Sequence, residues 1–257
     1  MTFLTWNVQR AGTERTRRQA AWLCARAPDV LILTEVGPAA AIVLPDRLGR
    51  AGYHLVGIDN SASGAGVVLA ARRGRLVRVP GALPTMAHRC ETAVLRLEWL
   101  SVAVTGLYVP SRGGPEGRNV AKRNFQHAVT ALLPRLRGHF GLDSGPMVIA
   151  GDLNVIEPGH EPPHRIYGRW EYDFYRAFAA HGFVDAYRQA HPDAVDHSWF
   201  GRRSGAGYRF DHLFCSAFAG SAVGAAAYLH EPRVTGLSDH SAMTVRLDCG
   251  PRAFPAG

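Results

Sequence analysis

Short apolar runs recur along the chain, and several stop abruptly on a carboxylate, an amide or a phenol. "FLTWN" ends at Asn7, "VLILTE" at Glu35, "VAVTGLY" at Tyr108 and "PMVIAGDLN" at Asp152 and Asn154. Near the C-terminus, "YRFDHLF" carries Asp211 and "GLSDHS" carries Asp239 and His240. A buried strand has little reason to end this way unless its tip lines a site, because chemistry tends to sit on loops presented by a rigid scaffold. Each group alone reads equally well as a turn former or a solvated strand end, since Gly, Asp and Asn favour turns. Together they supply carboxylates, amides, one phenol and one imidazole.

Further strands are predicted at "YHLVGI", "GVVLAARR", "TAVLRLEWL", "HSWF" and "MTVRLD", separated by Gly, Pro and polar breaks. Helical spacing marks "ERTRRQAAWLCARAPD", "VAKRNFQHAVTALLPRL" and "YDFYRAFAAHGF". Strands outnumber helices, and short turns join many neighbours, which argues against an all-parallel βα array. An α/β fold of two packed mixed sheets with helices outside fits better. A chain of 257 residues suits one large domain, placed here at 1–250 with a C-terminal tail at 251–257. The segment from Val155 to Arg169 has few evident core residues and reads as a long functional loop. Its His160 and His164 are interrupted by two prolines, cannot share a regular helix face, and are read as solvated.

No apolar run could span a bilayer, and the N-terminus reads as a strand, not a secretion signal. The four scattered cysteines, Cys24, Cys90, Cys215 and Cys249, form no C-x-x-C pair and are expected to be reduced thiols. The expectation is a soluble, cytoplasmic monomer with no membrane partner. A formal net charge of +8 points to polyanionic partners, nucleic acid foremost. Nearly all the basic residues are Arg; Lys122 is the sole lysine. Oxygen-rich carboxylate and amide sets suit Mg²⁺, which prefers hard oxygen ligands and keeps several waters.

The ordered set "TWN", "LTE", "YVP", "GDLN", "YRFDH" and "SDH" resembles the endonuclease/exonuclease/phosphatase superfamily along nearly the whole chain. The resemblance implies a four-layer, DNase I-like α/β sandwich that cleaves phosphate esters with a divalent metal, Mg²⁺ or Mn²⁺. It implies that Glu35 is the main metal ligand, with Asn7 beside it and Asp239 on the same side. It further implies that Asp152 orients or deprotonates the attacking water and that Asn154 holds the phosphate network. Tyr108 would donate to a phosphate oxygen, His240 would contact the scissile phosphate, and Asp211 would hold the His240 imidazole.

The second half, Gly182 to Ser216, is similar to exonuclease III and the apurinic/apyrimidinic (AP) endonucleases. There Trp199 and Phe200 would flank a pocket for a flipped abasic sugar, although the two alternate across a strand and one could be core. Arg112, Arg118, Lys122, Arg123, Arg202 and Arg203 are candidate contacts to the DNA backbone. The first half departs from that subfamily: "LTEVG" has Gly37 where those enzymes carry a lysine, and "TWNVQ" is equally similar to the tyrosyl-DNA phosphodiesterase branch. The implied substrate is duplex DNA with an abasic site or a 3′ end. A small phosphorylated metabolite, a tyrosyl-DNA linkage, or a non-catalytic DNA-binding module stay open as alternatives.

Overall fold

In the computed structural model the described residues are 1–79, 83, 85–113, 116–140, 145–220 and 222–248. The expected tail at 251–257 and Cys249 lie outside them. Fourteen strands, seven α-helices and two short 3₁₀ helices follow one another along these residues. One six-stranded sheet runs in the order β13 (Val223–Leu229), β14 (Ala242–Leu247), β1 (Thr2–Asn7), β2 (Val30–Val36), β4 (Gly66–Ala71) and β3 (His54–Val56). The other runs β5 (Arg75–Arg78), β6 (Cys90–Arg96), β7 (Ser101–Tyr108), β8 (Met147–Asp152), β12 (Asp211–Ser216) and β9 (Phe183–Asp185). A small ribbon pairs β10 (Trp199–Phe200) with β11 (Gly207–Tyr208).

Both sheets are mixed. Each has one parallel pair at its centre, β1 with β2 and β7 with β8, and antiparallel neighbours around it. The parallel pairs are linked by helices: α1 (Thr13–Arg26) joins β1 to β2, and α3 (Glu116–Phe140) lies between β7 and β8. The other helices are α2 (Pro38–Arg50), α4 (Arg169–Ala180) and the short α5 (Ala186–Ala190), α6 (Ala217–Gly220) and α7 (Glu231–Val234).

Strand side chains alternate between faces, so each sheet buries two sets of residues. Phe3, Val30, Ile32, Val67 and Leu69 point to a core shared with Val102, Val104, Val148, Ala150 and Leu213 of the other sheet. Leu4, Trp6, Leu31, Leu33 and Val68 point the other way, onto Trp22, Leu23, Leu44 and Leu48 of α1 and α2. Leu107, Met147, Ile149 and Phe214 point outward onto Phe125, Val129, Leu133, Phe174 and Phe178 of α3 and α4. Three cores thus separate four layers: helices, sheet, sheet, helices. This is the expected architecture. The sheets approach closely at Gly106, where a Cβ would lie 2.5 Å from Val67 Cγ1 and 2.9 Å from Ile32 Cγ2.

Beyond the short elements β5, β9, α5, α6 and α7, one longer helix and one longer strand lie outside the sequence-based expectations. Helix α2 carries Pro38 in its first turn and Pro45 inside, and its Ala-rich composition hides the apolar stripe of Ala40, Val43, Leu44 and Leu48. Strand β13 is an Ala-rich edge with only Ala226 and Tyr228 buried, so its alternation is faint. The 155–169 segment also differs from expectation. Val155 and Ile156 are buried, and Glu157 takes ion pairs from Arg188 and Arg209. His160 is buried rather than solvated: one ring nitrogen faces the Pro162 carbonyl and the other accepts from the Arg209 amide. His164 is half-buried and stacks on Tyr208 at 4.0 Å between ring centroids. Among the described residues no helix is long and apolar enough to cross a membrane.

Candidate active site

The carboxyl ends of both parallel pairs meet at one edge of the sandwich. Asn7 closes β1, Tyr108 closes β7 and Asp152 closes β8. The β-ladder sets Tyr108 and Asp211 directly beside Asp152, one on each flank. Because β12 and β14 run antiparallel to these strands, Asp211 starts β12 and His240 stands just before β14. A strand register therefore gathers residues separated by more than two hundred positions.

Local backbone distortions aim the side chains. Glu35 has φ +55° within a register shift of β2, a bulge that re-aims one residue. Its carboxylate accepts the Tyr108 phenol. Gly151 is required by close approach: its φ is +142°, and a Cβ there would sit 2.0 Å from the Leu107 carbonyl oxygen. Asn154 adopts the left-handed conformation at φ +49°, which Asn tolerates better than most residues. That turn lets its backbone N–H donate to Asp152 Oδ1 at 2.9 Å and its amide to Asp152 Oδ2 at 3.0 Å. Asn7 Nδ2 donates to the same Oδ2 at 2.9 Å. Asp152 is thus a buried carboxylate held by three donors.

His240 Nδ1 lies 2.7 Å from Asp211 Oδ2, and both groups are buried. The adjacent Asp239 faces elsewhere, accepting from Trp199 Nε1 at 3.2 Å and Arg202 at 3.5 Å. Trp6 Nε1 donates to the His240 carbonyl at 3.1 Å, and Ser238 Oγ ties this turn to the Asn7 carbonyl at 2.6 Å.

A cleft of about 570 Å³ opens over these groups. Glu35, Tyr108, Asp152, Asn154, Asp239 and His240 line it, with Arg112 and Arg202 beside them. Its wall is aromatic: Tyr167, Trp199, Tyr208 and Phe210. Tyr208 packs 5.0 Å from Phe210 and 5.5 Å from Trp199.

Electrostatics follow from this packing. Burial pushes Asp152 up to about 7; His240 opposes that, while the charges of Asp211 and Glu35 add to it. For His240, burial disfavours the charged ring, but Asp211 overcomes it by charge and hydrogen bond and lifts the imidazolium to about 10. Burial and the Glu35 charge raise the Tyr108 phenol far above its usual value, so it remains a proton donor.

Three carboxylates on one cleft create a place for a cation. Among the described residues no group of three or more His, Cys, Asp or Glu side chains forms a ready-made metal cage. Mg²⁺ needs none, because one or two carboxylates and several waters usually suffice. Glu35 and Asp239 present carboxylate oxygens on the cleft, whereas Asn7 is buried, lies outside the lining and accepts the Gln9 amide on Oδ1 at 2.9 Å.

The expected site residues do not all gather here. Phe200 does not line the cleft; it is 37% exposed, with Arg233 over its ring at 4.4 Å, because it alternates with Trp199 on β10. Lys122 is fully buried against Glu171 and faces no open groove. Arg203, Arg118 and Arg123 are exposed away from the cleft lining. Gln9, Ser111, Ile166, Tyr167, Tyr208 and Phe210 line it without having been singled out in sequence. Alternation in "YRFDH" was a usable signal for two of them, since Tyr208 and Phe210 share a face opposite Arg209.

The family model described as "Endonuclease/Exonuclease/phosphatase family" matches residues 4–240. The chain belongs to this family. Among solved structures, an AP endonuclease from Archaeoglobus fulgidus superposes on this family member with TM-score 0.79 at 20% identity, over 96% of this chain and 99% of that one. A 3′–5′ exonuclease, NExo, from Neisseria meningitidis gives TM-score 0.77 at 23% identity, over 96% and 100%. The 3′ phosphatase NExo from Neisseria bound to product DNA hairpin gives 0.75 at 22%, over 96% and 99%. At these identities the likeness establishes the shared fold. A search of curated proteins finds no significant match.

Proposed function

We propose that this family member hydrolyses DNA phosphodiester bonds as an exonuclease III-like AP endonuclease and 3′ exonuclease, with Mg²⁺ or Mn²⁺ as cofactor. One observation carries the reading. His240, backed by the buried Asp211, lines a single cleft with Asp152 and the Glu35–Tyr108 pair, and the wall of that cleft is aromatic.

The roles follow from protonation and position. His240, an imidazolium at neutral pH, and the Tyr108 phenol donate to the non-bridging phosphoryl oxygens. Asp152, held by Asn7 and Asn154, orients the attacking water and takes its proton. Water attacks phosphorus in line, and no covalent enzyme intermediate forms. Glu35, Asn7 and Asp239 would hold the divalent ion, which when bound would supply charge neutralisation for phosphoryl transfer. Asp211 holds the imidazole in place and favours its charged form.

Substrate choice rests on the wall and the charge. Trp199, Tyr208 and Phe210 beside a phosphate clamp suit an extruded sugar, and extrusion is least costly at a damaged position. Arg112 and Arg202 at the cleft, with Arg203, Arg118 and Arg123 farther out, supply backbone contacts within a chain of net charge +8. The relatives named above as an AP endonuclease, a 3′–5′ exonuclease and a DNA-bound 3′ phosphatase favour the same class. The test is a substrate panel with Mg²⁺ and with chelator: abasic-site duplex, recessed 3′ ends, 5′-tyrosyl DNA, RNA and small phosphomonoesters. Metal-dependent cleavage of abasic duplex or of 3′ ends is expected. Hydrolysis confined to small phosphomonoesters, or a shallow dependence of affinity on salt, overturns the DNA assignment.

A further inference from the structure

Lys122 is the only lysine in a chain whose other basic residues are all arginine, and it is fully buried. It sits on α3, and its Nζ donates to Glu171 Oε1 at 2.6 Å and to the Asn154 carbonyl at 2.7 Å. Glu171, on α4 and equally buried, accepts from the Gly168 amide at 2.9 Å and from Arg112. Arg112 is 30% exposed and lines the cleft. Asn154 is the left-handed residue whose amide holds Asp152. The pair therefore touches the cleft on both sides without lining it.

A buried ion pair is a poor source of stability. Removing two charges from water costs several kcal/mol per ion, and apolar residues of similar volume often serve as well or better. What the pair does supply is fixed geometry. An ammonium is compact and presents tetrahedral donors, so it reaches a carbonyl and a carboxylate at once in a space that a planar guanidinium would not fit. The rings of Tyr167 and Trp170, 5.6 and 5.8 Å from Nζ, shield it from water. That shielding depresses the lysine below its ordinary value by burial, against the pull of Glu171.

We infer that the Lys122–Glu171 pair is a positioning element for phosphoester hydrolysis. Glu171 aims Arg112 into the cleft, and Lys122 holds Asn154 in the turn that fixes Asp152. The inference rests on the proposed hydrolase reading, and the two halves of the pair act on different kinetic constants. Loss of Glu171 frees a substrate-binding arginine and raises KM. Loss of Lys122 frees the group that orients Asp152 and lowers kcat.

The experiment compares Glu171→Gln, Lys122→Met, the double variant Lys122→Met/Glu171→Leu, and Arg112→Ala. It measures kcat and KM on abasic-site duplex with Mg²⁺, thermal melts, and ¹H–¹⁵N spectra of the Asn154 amide and the Arg112 guanidinium. Glu171→Gln is expected to match the KM rise of Arg112→Ala. Lys122→Met is expected to lower kcat about 100-fold, the scale of a small misplacement of a reacting group. The double variant is expected to melt near the wild type while losing activity. Folded variants with wild-type kcat and KM overturn the inference, as does a loss that falls equally on both constants and tracks the melting temperature. If the double variant does not fold, the nearly isosteric Glu171→Gln carries the comparison with Arg112→Ala. If the wild type cleaves none of these substrates, the hydrolase reading fails separately and the spectra decide. Shifted Asn154 and Arg112 resonances support positioning, and unshifted ones refute it.

Discussion

Replacing Asp211 with Asn tests whether the buried carboxylate sets the charge of His240. The two groups are 2.7 Å apart, and Asp211 outweighs the burial that otherwise disfavours the imidazolium. Lifting an imidazole from 6.5 to about 10 corresponds to on the order of 5 kcal/mol in favour of the charged form, at about 1.4 kcal/mol per pH unit. Asn keeps the shape and removes the largest influence that raises the ring, leaving burial opposed only by the weaker pulls of Asp152 and Asp239, so His240 should titrate far below 10 and toward 6.5. At pH 8 the wild-type ring is almost wholly charged, whereas about 3% of rings titrating at 6.5 are. The variant should therefore lose about 30-fold in kcat/KM at pH 8 and recover activity as pH falls toward 6. NMR titration of the His240 ring in chelator, alongside pH–rate profiles, measures both effects. A His240 that still titrates near 10 in Asp211→Asn, or a variant with wild-type activity at pH 8, refutes the reasoning.

Three further outcomes follow from the same geometry. Trp199→Ala should cost about 10- to 100-fold in kcat/KM on abasic duplex, given about 1–3 kcal/mol per aromatic stacking contact. Phe200→Ala, outside the cleft, should change it little, and equal effects of the two would contradict the assigned wall. Mg²⁺ should raise the melting temperature of the wild type through binding to the folded state, and Glu35→Gln should abolish that rise. Glu157 is held down to about 2: burial opposes its ionisation, but Arg188 and Arg209 prevail. A carboxylate held below its unfolded value stabilises the fold above pH 4.5 and loses that contribution as pH falls toward 2. Glu157→Gln should therefore destabilise the protein at neutral pH by about 3–5 kcal/mol in denaturant melts, because two arginines lose their partner. It should also flatten the acid limb of the stability profile.

The fold was legible wherever alternation was strong. Strands such as "VLILTE" and "PMVIAGDLN" carry their apolar faces and their polar tips in plain view, and the two-sheet sandwich follows from them. Helix α2 and strand β13 were not legible, because alanine serves either structure and prolines mask the helix. Within the cleft, the tips pointed to the residues that gather there, since a site at the ends of strands leaves its trace next to each apolar run. Of the aromatic wall, Trp199 is an expected site residue and Tyr208 and Phe210 are readable from alternation, but Tyr167 and the Lys122–Glu171 pair left no such trace. Tyr167 comes from an irregular segment, and Lys122 and Glu171 meet only because α3 pairs with α4. Glu157, Arg188 and Arg209 likewise look like surface charges in sequence, and only the packed chain brings them together. "SDHS" illustrates the limit. Two adjacent residues look like a dyad, yet Asp239 turns to Trp199 and Arg202 while His240 turns to Asp211, twenty-nine positions away.

The central claim is that this cleft cleaves DNA and that His240 acts on the phosphate during turnover. His240→Ala separates chemistry from binding most directly, with cleavage of abasic-site duplex and DNA affinity measured side by side in Mg²⁺. The account predicts that turnover falls by orders of magnitude while affinity stays close to that of the wild type. Unchanged cleavage by His240→Ala would contradict it.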